Sequence, residues 1–261
     1  MSMRHHVHSV FVISLLLLAA ALLVGCANKE AAVIERYKAP GLAQLKRLQG
    51  VAELMRDRPP LVADAESLPL DGVSFMTGES YMTGEKLLPT GAFVDSEWLT
   101  EEGLRDNYFD APFSIEAGPF WGHCGAYLTT GKDSNGSPPK GDKDIEEKFQ
   151  KFLKVKFLGV ARTVELRLPE VTGEAQFSSG RYRFDLHFFE LADPPQYLGG
   201  IRVDASNDPN MNVKFREDMR EEAMNRRLLQ NLSYRTHEEL NKMMFERAKI
   251  ASMNSPLRYG D

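Results

Sequence analysis

The sequence predicts an α+β fold, in which an antiparallel sheet of three to five strands packs with an N-terminal helix and two C-terminal helices. Three observations support this class. Apolar residues recur at helical spacing over 41–55, they alternate with polar residues in short segments over 164–205, and helical spacing returns over 213–251. Strands that are grouped together and followed by helices are typical of α+β proteins.

The N-terminal helix is predicted from apolar residues that recur every three positions. They are Leu42, Leu45, Leu48, Val51 and Leu54. We expect the helix to end before Arg58-Pro59-Pro60, because proline cannot continue a helix.

The segment 61–110 is acidic and rich in turn residues, with eleven Asp and Glu against Lys86 and Arg105. It contains a tandem hexapeptide, Phe75-Met-Thr-Gly-Glu-Ser followed by Tyr81-Met-Thr-Gly-Glu-Lys. Two copies predict two similar turns or a hairpin, since a solenoid needs at least three repeats. A ligand loop is the alternative. The aromatic, glycine-rich stretch 111–130 is expected in the core.

The loop 131–141 and the residues just after it carry oxygen-bearing side chains, namely Asp133, Asn135, Asp142 and Asp144. Their spacing differs from that of a calcium-binding EF-hand loop, and no Glu occupies the twelfth position. We therefore predict no metal site. A short helix is expected over 144–153, with Ile145, Phe149 and Phe152 on one side.

Apolar residues that alternate with polar residues predict the strands. One strand over 164–168 ends at Pro169, and a Ser178-Ser179-Gly180 turn predicts a hairpin between 175–177 and 182–189. A further strand over 197–205 is interrupted by Gly199-Gly200, and this interruption predicts a bulge.

The C-terminal region is predicted to form two helices. The first runs from Val213 to about Leu232, and the second begins at Thr236. Thr236 and Glu239 have the spacing of a capping box, in which each side chain satisfies the backbone amide of the other residue.

The first 26 residues have the pattern of a secretory signal: Arg4 near the amino terminus, then an uncharged run over 9–25 rich in Leu and Ala. The run closes on Leu23-Val24-Gly25-Cys26, a tetrapeptide that resembles the lipobox of bacterial lipoproteins. This resemblance implies that the thiol of Cys26 is linked to diacylglycerol and that cleavage makes Cys26 the first mature residue. An uncleaved signal anchor is the alternative, since the run is close to the ~18 residues that can span a membrane.

Either alternative places the body of the protein outside the cytoplasm. Several acyl chains anchor a protein stably, because each buried CH₂ contributes about 0.8 kcal/mol. Ala27, where an Asp would retain the protein at the inner membrane, favours the outer membrane by resemblance to enterobacterial sorting. The predicted organisation has three parts: a signal peptide 1–25, a lipidated tether 26–40 and a periplasm-facing α+β domain 41–261. The domain is predicted to be irregular and acidic over 61–141 and to have its sheet and helices over 142–251.

Composition limits the function classes. The 261 residues are 43% hydrophobic and 26% charged, as in a folded globular protein. The formal net charge of −5 argues against nucleic acid as a partner, because phosphate binding needs a basic face. Two cysteines are too few for a disulfide scaffold or a cysteine-ligated zinc module. The chain has no phosphate-binding or dinucleotide-binding motif, so no cofactor is predicted.

One set of three residues, Cys124, His187 and Asp204, suggests nucleophilic catalysis. If Cys26 carries lipid, Cys124 is the only thiol left, in a small-residue turn over 121–127. His187 and Asp204 follow on adjacent predicted strands, and this order resembles envelope cell-wall peptidases and transglutaminase-like proteins. The resemblance implies Cys124 as nucleophile, His187 as base and Asp204 as the residue that orients the base. A buried structural cysteine is the competing interpretation, because no long helix is predicted to follow Cys124 and lower its pKa.

The sequence favours a lipid-anchored, non-enzymatic cell-envelope lipoprotein that binds a partner or supports an assembly. Cys26 is the predicted lipidation site, and no catalytic residue is assigned in this interpretation. The segment 61–110 and the C-terminal helices are candidate contact surfaces for an envelope protein or the cell wall. The alternative is a papain-like thiol hydrolase that acts on peptide or peptidoglycan bonds through Cys124.

Overall fold

The computed structural model describes residues 4–73, 75, 90–99, 120–133, 135–173, 176–208 and 221–250, and within the first helix it describes side chains from Lys29 onward. Apart from Phe75, the tandem hexapeptide of residues 75–86 lies outside the described residues. Residues 100–119, which include much of the acidic and aromatic middle of the chain, lie outside them too.

The described residues form four α-helices and six strands, with a short 3-10 helix at Ser96–Leu99. The helices are α1 (Arg4–Arg56), α2 (Phe120–Thr130), α3 (Asp142–Lys154) and α4 (Glu221–Ala248). The strands are β1 (Gly91–Asp95), β2 (Phe157–Arg167), β3 (Glu170–Gly173), β4 (Gln176–Ser178), β5 (Arg181–Glu190) and β6 (Gln196–Ser206). The α+β class predicted from the sequence is confirmed.

The main sheet has the strand order β1-β2-β5-β6. β5 pairs antiparallel with both β2 and β6, whereas β1 pairs parallel with β2 from Gly91 opposite Phe157. The predicted antiparallel sheet is therefore partly parallel. The sequence missed β1 because four of its five residues are buried, so apolar and polar residues do not alternate along it.

The predicted hairpin between 175–177 and 182–189 is wrong. β4 pairs with β3 in a separate two-stranded sheet, while β5 joins the main sheet. The Ser178-Ser179-Gly180 turn links the two sheets, and Gly180 N–H donates to the side chain of Asn207 at 2.9 Å. The predicted bulge at Gly199-Gly200 is confirmed by a register shift opposite Phe188 and Phe189 and by a φ of +131° at Gly199.

The core is aromatic around the centre of the sheet. Phe93 in β1 stacks on Phe75 with ring centroids 4.5 Å apart, and Phe188 in β5 meets Phe75 edge-on at 6.0 Å. Gly159 in β2 lies next to the rings of Phe93 and Phe188, and a Cβ there would come within 2.6 Å of the Phe93 ring. Phe93 therefore occupies the space that a side chain at position 159 would need.

The predicted helix over 41–55 is the C-terminal part of α1. Leu45, Leu48 and Val51 are buried as expected, but Leu42 and Leu54 are 43% and 39% exposed. Residues three apart are separated by about 300° around a helix, so a strict three-residue repeat drifts off the buried face. Met55 and Val33 are buried instead.

The segment 26–40 is helical rather than an aperiodic tether, because α1 runs unbroken from Arg4 to Arg56 and includes Pro40. Val33 is buried, and Ile34 and Tyr37 pack against the core. Within the part of the chain whose side chains are described, no helix is long and apolar enough to cross a membrane.

The two predicted C-terminal helices are one. Thr236 lies in the interior of α4, where its Oγ1 donates to Leu232 O at 2.8 Å. This bond to the carbonyl four residues earlier replaces the N-cap interaction that the capping-box spacing predicted. Buried residues lie on both sides of Thr236 in the chain, namely Leu228, Leu232, Leu240 and Met244. The packing of this face therefore stabilises a continuous helix through Thr236.

Candidate functional site

The predicted lipidation residue, Cys26, lies within α1. Four residues later, Glu30 Oε1 accepts the N–H of Gly141 at 3.0 Å, at the start of α3. The contact between α1 and the folded domain therefore begins about one helical turn after Cys26.

Further along, α1 and α3 run side by side in the same direction. Glu146 accepts Arg36 Nη1 at 3.0 Å and Tyr37 OH at 3.2 Å. The Tyr37 and Phe149 rings stack with centroids 5.2 Å apart. Gln44, which is buried, donates to the carbonyl of Val155 at 2.8 Å just beyond α3. These contacts hold residues 30–44 of α1 against the domain.

Cys124 lies in α2 and is fully buried. The segment 121–127, predicted as a small-residue turn, is helical. Burial raises the pKa of the Cys124 thiol, and the nearby ammonium of Lys148 offsets only part of that effect. Because Cys124 is the fifth residue of α2, it also lies beyond the amide groups of the first helical turn that stabilise a thiolate.

His187 lies in the middle of β5 and is also buried. Its Nδ1 is 3.4 Å from the hydroxyl of Tyr197 in β6. Burial and the charges of Arg162 and Arg58 lower the pKa of His187 to about 4, and the carboxylate of Asp185 opposes this shift. His187 is therefore a neutral imidazole at neutral pH, and among the described residues its Nε2 has no hydrogen-bond partner.

Asp204 lies near the end of β6 and pairs with Arg181 of β5. Arg181 Nε donates to Oδ1 at 2.8 Å and Nη2 donates to Oδ2 at 2.5 Å. These hydrogen bonds hold the pKa of Asp204 below its ordinary value, against the opposing effect of burial. The carboxylate that was expected to orient His187 is thus bound to an arginine.

The structure does not bring His187 and Asp204 together. His187 stands opposite Gly200, and Asp204 stands opposite Arg183, four residues further along β6. Four residues of a strand correspond to about 13 Å. Different charged residues also act on the Cys124 thiol and on the His187 imidazole. Lys148 acts on the thiol, whereas the charges that act on the imidazole are those of Arg162, Asp185 and Arg58.

Sequence reasoning missed a cluster of charged residues under the segment that follows α1. We call this segment, residues 57–70, the strap. Asp185 is fully buried and accepts three hydrogen bonds: Arg202 Nε at 2.7 Å, Arg202 Nη2 at 3.1 Å and the N–H of Leu61 at 2.8 Å. Arg202 Nη2 also donates to Leu61 O at 2.7 Å. Both backbone polar groups of Leu61 are thereby bound to the sheet.

The strap is attached along its whole length. Arg162 in β2 donates to the carbonyl of Met55, in the last turn of α1 where carbonyls lack helical partners, and to the carbonyl of Arg58 just beyond the helix. Ala65 N–H donates to Gly200 O at 2.8 Å, along the outer edge of β6. Leu68 N–H donates to the carbonyl of Arg247 in α4 at 2.8 Å.

Burial of Asp185 and His187 was not expected, because they belong to a series with Arg181 and Arg183 that alternates with apolar residues as on a solvent-facing surface. The available signal was the pair of opposite charges, Asp185 and Arg202, on neighbouring strands; a known strand register would have shown that they face each other.

Arg58 in the strap packs beside this cluster, with its guanidinium carbon 3.5 Å from the centre of the Tyr197 ring.

The loop 131–141 is organised by one carboxylate. Asp133 Oδ1 accepts the N–H groups of Asn135 at 2.9 Å and Ser137 at 2.7 Å. Its carboxylate therefore has the role of an Asx-turn acceptor. Across the described ranges, no group of three or more His, Cys, Asp or Glu side chains is placed to hold a metal ion.

No protein-family model, curated protein or solved structure matches this chain.

Proposed function

We propose that the chain is a lipid-anchored bacterial cell-envelope lipoprotein, non-enzymatic, with a role in binding or supporting an assembly on the periplasmic side of a membrane. The observation that carries the proposal is Leu23-Val24-Gly25-Cys26 directly after the uncharged run over 9–25. The outer membrane is the proposed location, because residue 27 is Ala.

The environment of the thiol supports a non-enzymatic role. Cys124 is buried with a raised pKa, and His187 is a buried neutral base that contacts Tyr197. A thiol hydrolase needs a thiolate within hydrogen-bond reach of an imidazole, with the substrate able to reach both. The complete burial of Cys124 and His187 favours packing roles for both.

The test is acylation of Cys26 in a bacterial host. Mass spectrometry of the mature N-terminus should find Cys26 carrying diacylglycerol, and the protein should stay with the membrane fraction after a high-salt wash. Cys26→Ser should abolish the acyl mass and leave the signal segment uncleaved.

The matched control is Cys124→Ala, which removes the other cysteine of the chain and should leave the acyl mass unchanged. A wild-type protein that has no acyl group and keeps residues 1–25 would contradict the proposal and favour the uncleaved signal anchor. Turnover of a peptide or peptidoglycan substrate that Cys124→Ala abolishes would instead favour the thiol hydrolase.

A further inference from the structure

We propose that the end of the domain next to Cys26 is a docking surface for anionic phospholipid headgroups. The inference rests on the proposed lipid anchor. Three exposed lysines form the surface: Lys29 on α1, Lys140 in the loop before α3, and Lys143 in the first turn of α3. Lys29 and Lys140 directly precede Glu30 and Gly141, which are joined by a hydrogen bond, and Lys143 follows Gly141 by two residues.

The lysines lie at the height of the headgroups. With a rise of 1.5 Å per residue, Glu30 is about 6 Å along the helix axis from Cys26. The polar layer on each side of a bilayer is about 5 to 8 Å thick. A lipid attached to Cys26 therefore brings Gly141, and with it Lys140 and Lys143, close to the phosphate groups.

The position of this end relative to the lipid is fixed by packing. The helix between Cys26 and the domain is unbroken, and α1 is held to α3 by the Arg36–Glu146 ion pair at 3.0 Å and the Tyr37–Phe149 stack. A flexible tether would let the domain drift away from the membrane. A helix that joins the domain within one turn keeps the same face towards it.

The carboxylates among these lysines are engaged within the protein. Glu30 accepts the N–H of Gly141, and Asp142 Oδ1 accepts the N–H of Lys143 at 2.9 Å. Asp144 pairs with Lys148 at 2.8 Å. Lys29, Lys140, Lys143 and Lys148 thus give this end four positive charges against the three negative charges of Glu30, Asp142 and Asp144. Its net charge is about +1, whereas the chain as a whole has a net charge of −5.

A net charge of about +1 at this end is enough for a measurable preference. One positive charge near an anionic membrane surface contributes about fivefold to the equilibrium, so a preference of about fivefold is expected at low salt. Salt screens this attraction within a Debye length of about 8 to 10 Å. The surface should therefore favour phosphatidylglycerol over zwitterionic lipids and lose that preference as ionic strength rises.

The experiment uses the full lipidated protein, purified and reconstituted into phosphatidylethanolamine vesicles with or without phosphatidylglycerol, and with a lipid that carries a nitroxide quencher on its headgroup. A fluorophore is attached to Pro138→Cys, an exposed position three residues before Gly141. A second protein carries it at Val62→Cys, where the side chain is 99% exposed beyond the far end of α1. Cys124 is buried and does not compete for the label.

We expect strong quenching at position 138 in phosphatidylglycerol vesicles and little at position 62, which follows the far end of α1, about 39 Å of helix beyond Glu30. Lys29→Gln/Lys140→Gln/Lys143→Gln should reduce the quenching at 138 to its level in phosphatidylethanolamine alone. The control with the same change in charge, Lys46→Gln/Lys154→Gln/Lys156→Gln, alters exposed lysines further from Cys26 and should leave the quenching unchanged.

Equal quenching at 138 and 62, or quenching at 138 that is indifferent to phosphatidylglycerol and to the lysine substitutions, would overturn the inference while leaving the lipid anchor intact. The acyl mass of each reconstituted protein is measured in parallel. If Cys26 carries no lipid, the anchor fails and this docking surface fails with it.

Discussion

Arg202 holds the buried carboxylate of Asp185 in a forked pair, with Nε to Oδ1 at 2.7 Å and Nη2 to Oδ2 at 3.1 Å. Burial alone would raise the pKa of Asp185, but the hydrogen bonds from Arg202 and from Leu61 N–H outweigh burial and lower it. The ion pair is therefore part of the attachment of the strap to the sheet.

Arg202→Met should destabilise the fold by about 2 to 3 kcal/mol, because it leaves the Asp185 carboxylate buried without its cation. The value lies below the ~3 to 5 kcal/mol typical of a fully buried pair, since the Arg202 side chain is 31% exposed. Urea unfolding at neutral pH measures the change in free energy.

Arg181→Met is the matched control on the same face of β5. It breaks the pair with Asp204, whose side chain is 38% exposed, so water can replace the lost hydrogen bonds. A loss of stability as large as that of Arg202→Met would contradict the importance given to burial of Asp185.

The stability of the protein should fall as the pH is lowered from about 6.5 to about 4, in part through His187. Its pKa in the folded protein is about 4, so between these values the unfolded chain binds a proton at His187 and the folded chain does not. Proton uptake by the unfolded state lowers the free energy of unfolding, by at most about 1.4 kcal/mol per pH unit for one group.

His187→Gln should reduce the slope of the free energy of unfolding against pH between about pH 6.5 and 4, by up to the same ~1.4 kcal/mol per pH unit. The measurement is a set of urea unfolding curves from pH 7.5 to 4 for both proteins, compared by slope rather than by absolute stability. Parallel pH profiles for the two proteins would mean that His187 is not held neutral in the fold. Below pH 4 the protonation of Asp185, whose pKa is also lowered, begins to destabilise both.

Cys124 should not react with maleimide or iodoacetamide in the native protein, even at pH 9. Its side chain is inaccessible, and burial raises its pKa. Mass spectrometry of the peptide that contains Cys124 should find it unmodified in buffer and fully modified in 8 M urea, an ordinary unfolding condition. Rapid alkylation of the folded protein that slows in His187→Ala would revive the nucleophile interpretation.

Gly159→Ala should destabilise the fold by about 1 to 3 kcal/mol, the usual cost of overpacking a core. The added methyl group would lie 2.6 Å and 2.8 Å from two atoms of the Phe93 ring and 3.3 Å from Phe188. Thermal or urea unfolding measures the loss.

Phe93→Leu provides a second background for the same substitution. If the Phe93 ring is the cause, Gly159→Ala should cost less in Phe93→Leu than in the wild type, as a double-mutant cycle can show. An equal cost in both backgrounds would place the strain in the backbone of β2 instead.

The sequence predicted the elements whose two sides differ in polarity. Residues of β5 and β6 alternate, and α3 buries Ile145, Phe149 and Phe152 as its spacing indicated. β1 was missed because its residues are buried almost throughout. The division of α4 was wrong because a local Thr-x-x-Glu pattern does not reveal that packing continues on both sides of it.

Less of the candidate site could be predicted. The contact between Glu30 and Gly141 joins residues 111 positions apart, and the Arg202–Leu61 bond joins residues 141 positions apart. Such contacts depend on the register of the sheet and on the path of the strap, and neither can be inferred from the spacing of residues along the chain. Cys124, His187 and Asp204 were placed together by order alone, but strand register separates His187 from Asp204 and helix α2 buries Cys124.

The strap has a mechanical consequence. A load applied along α1 does not end in a flexible linker, since Arg162 binds the carbonyls of Met55 and Arg58, and Asp185 and Arg202 bind Leu61. Tension on the N-terminal end is thereby transmitted by side chains to three neighbouring strands at once, across β2, β5 and β6. The three strands share that tension, so the domain should yield as a unit under pulling.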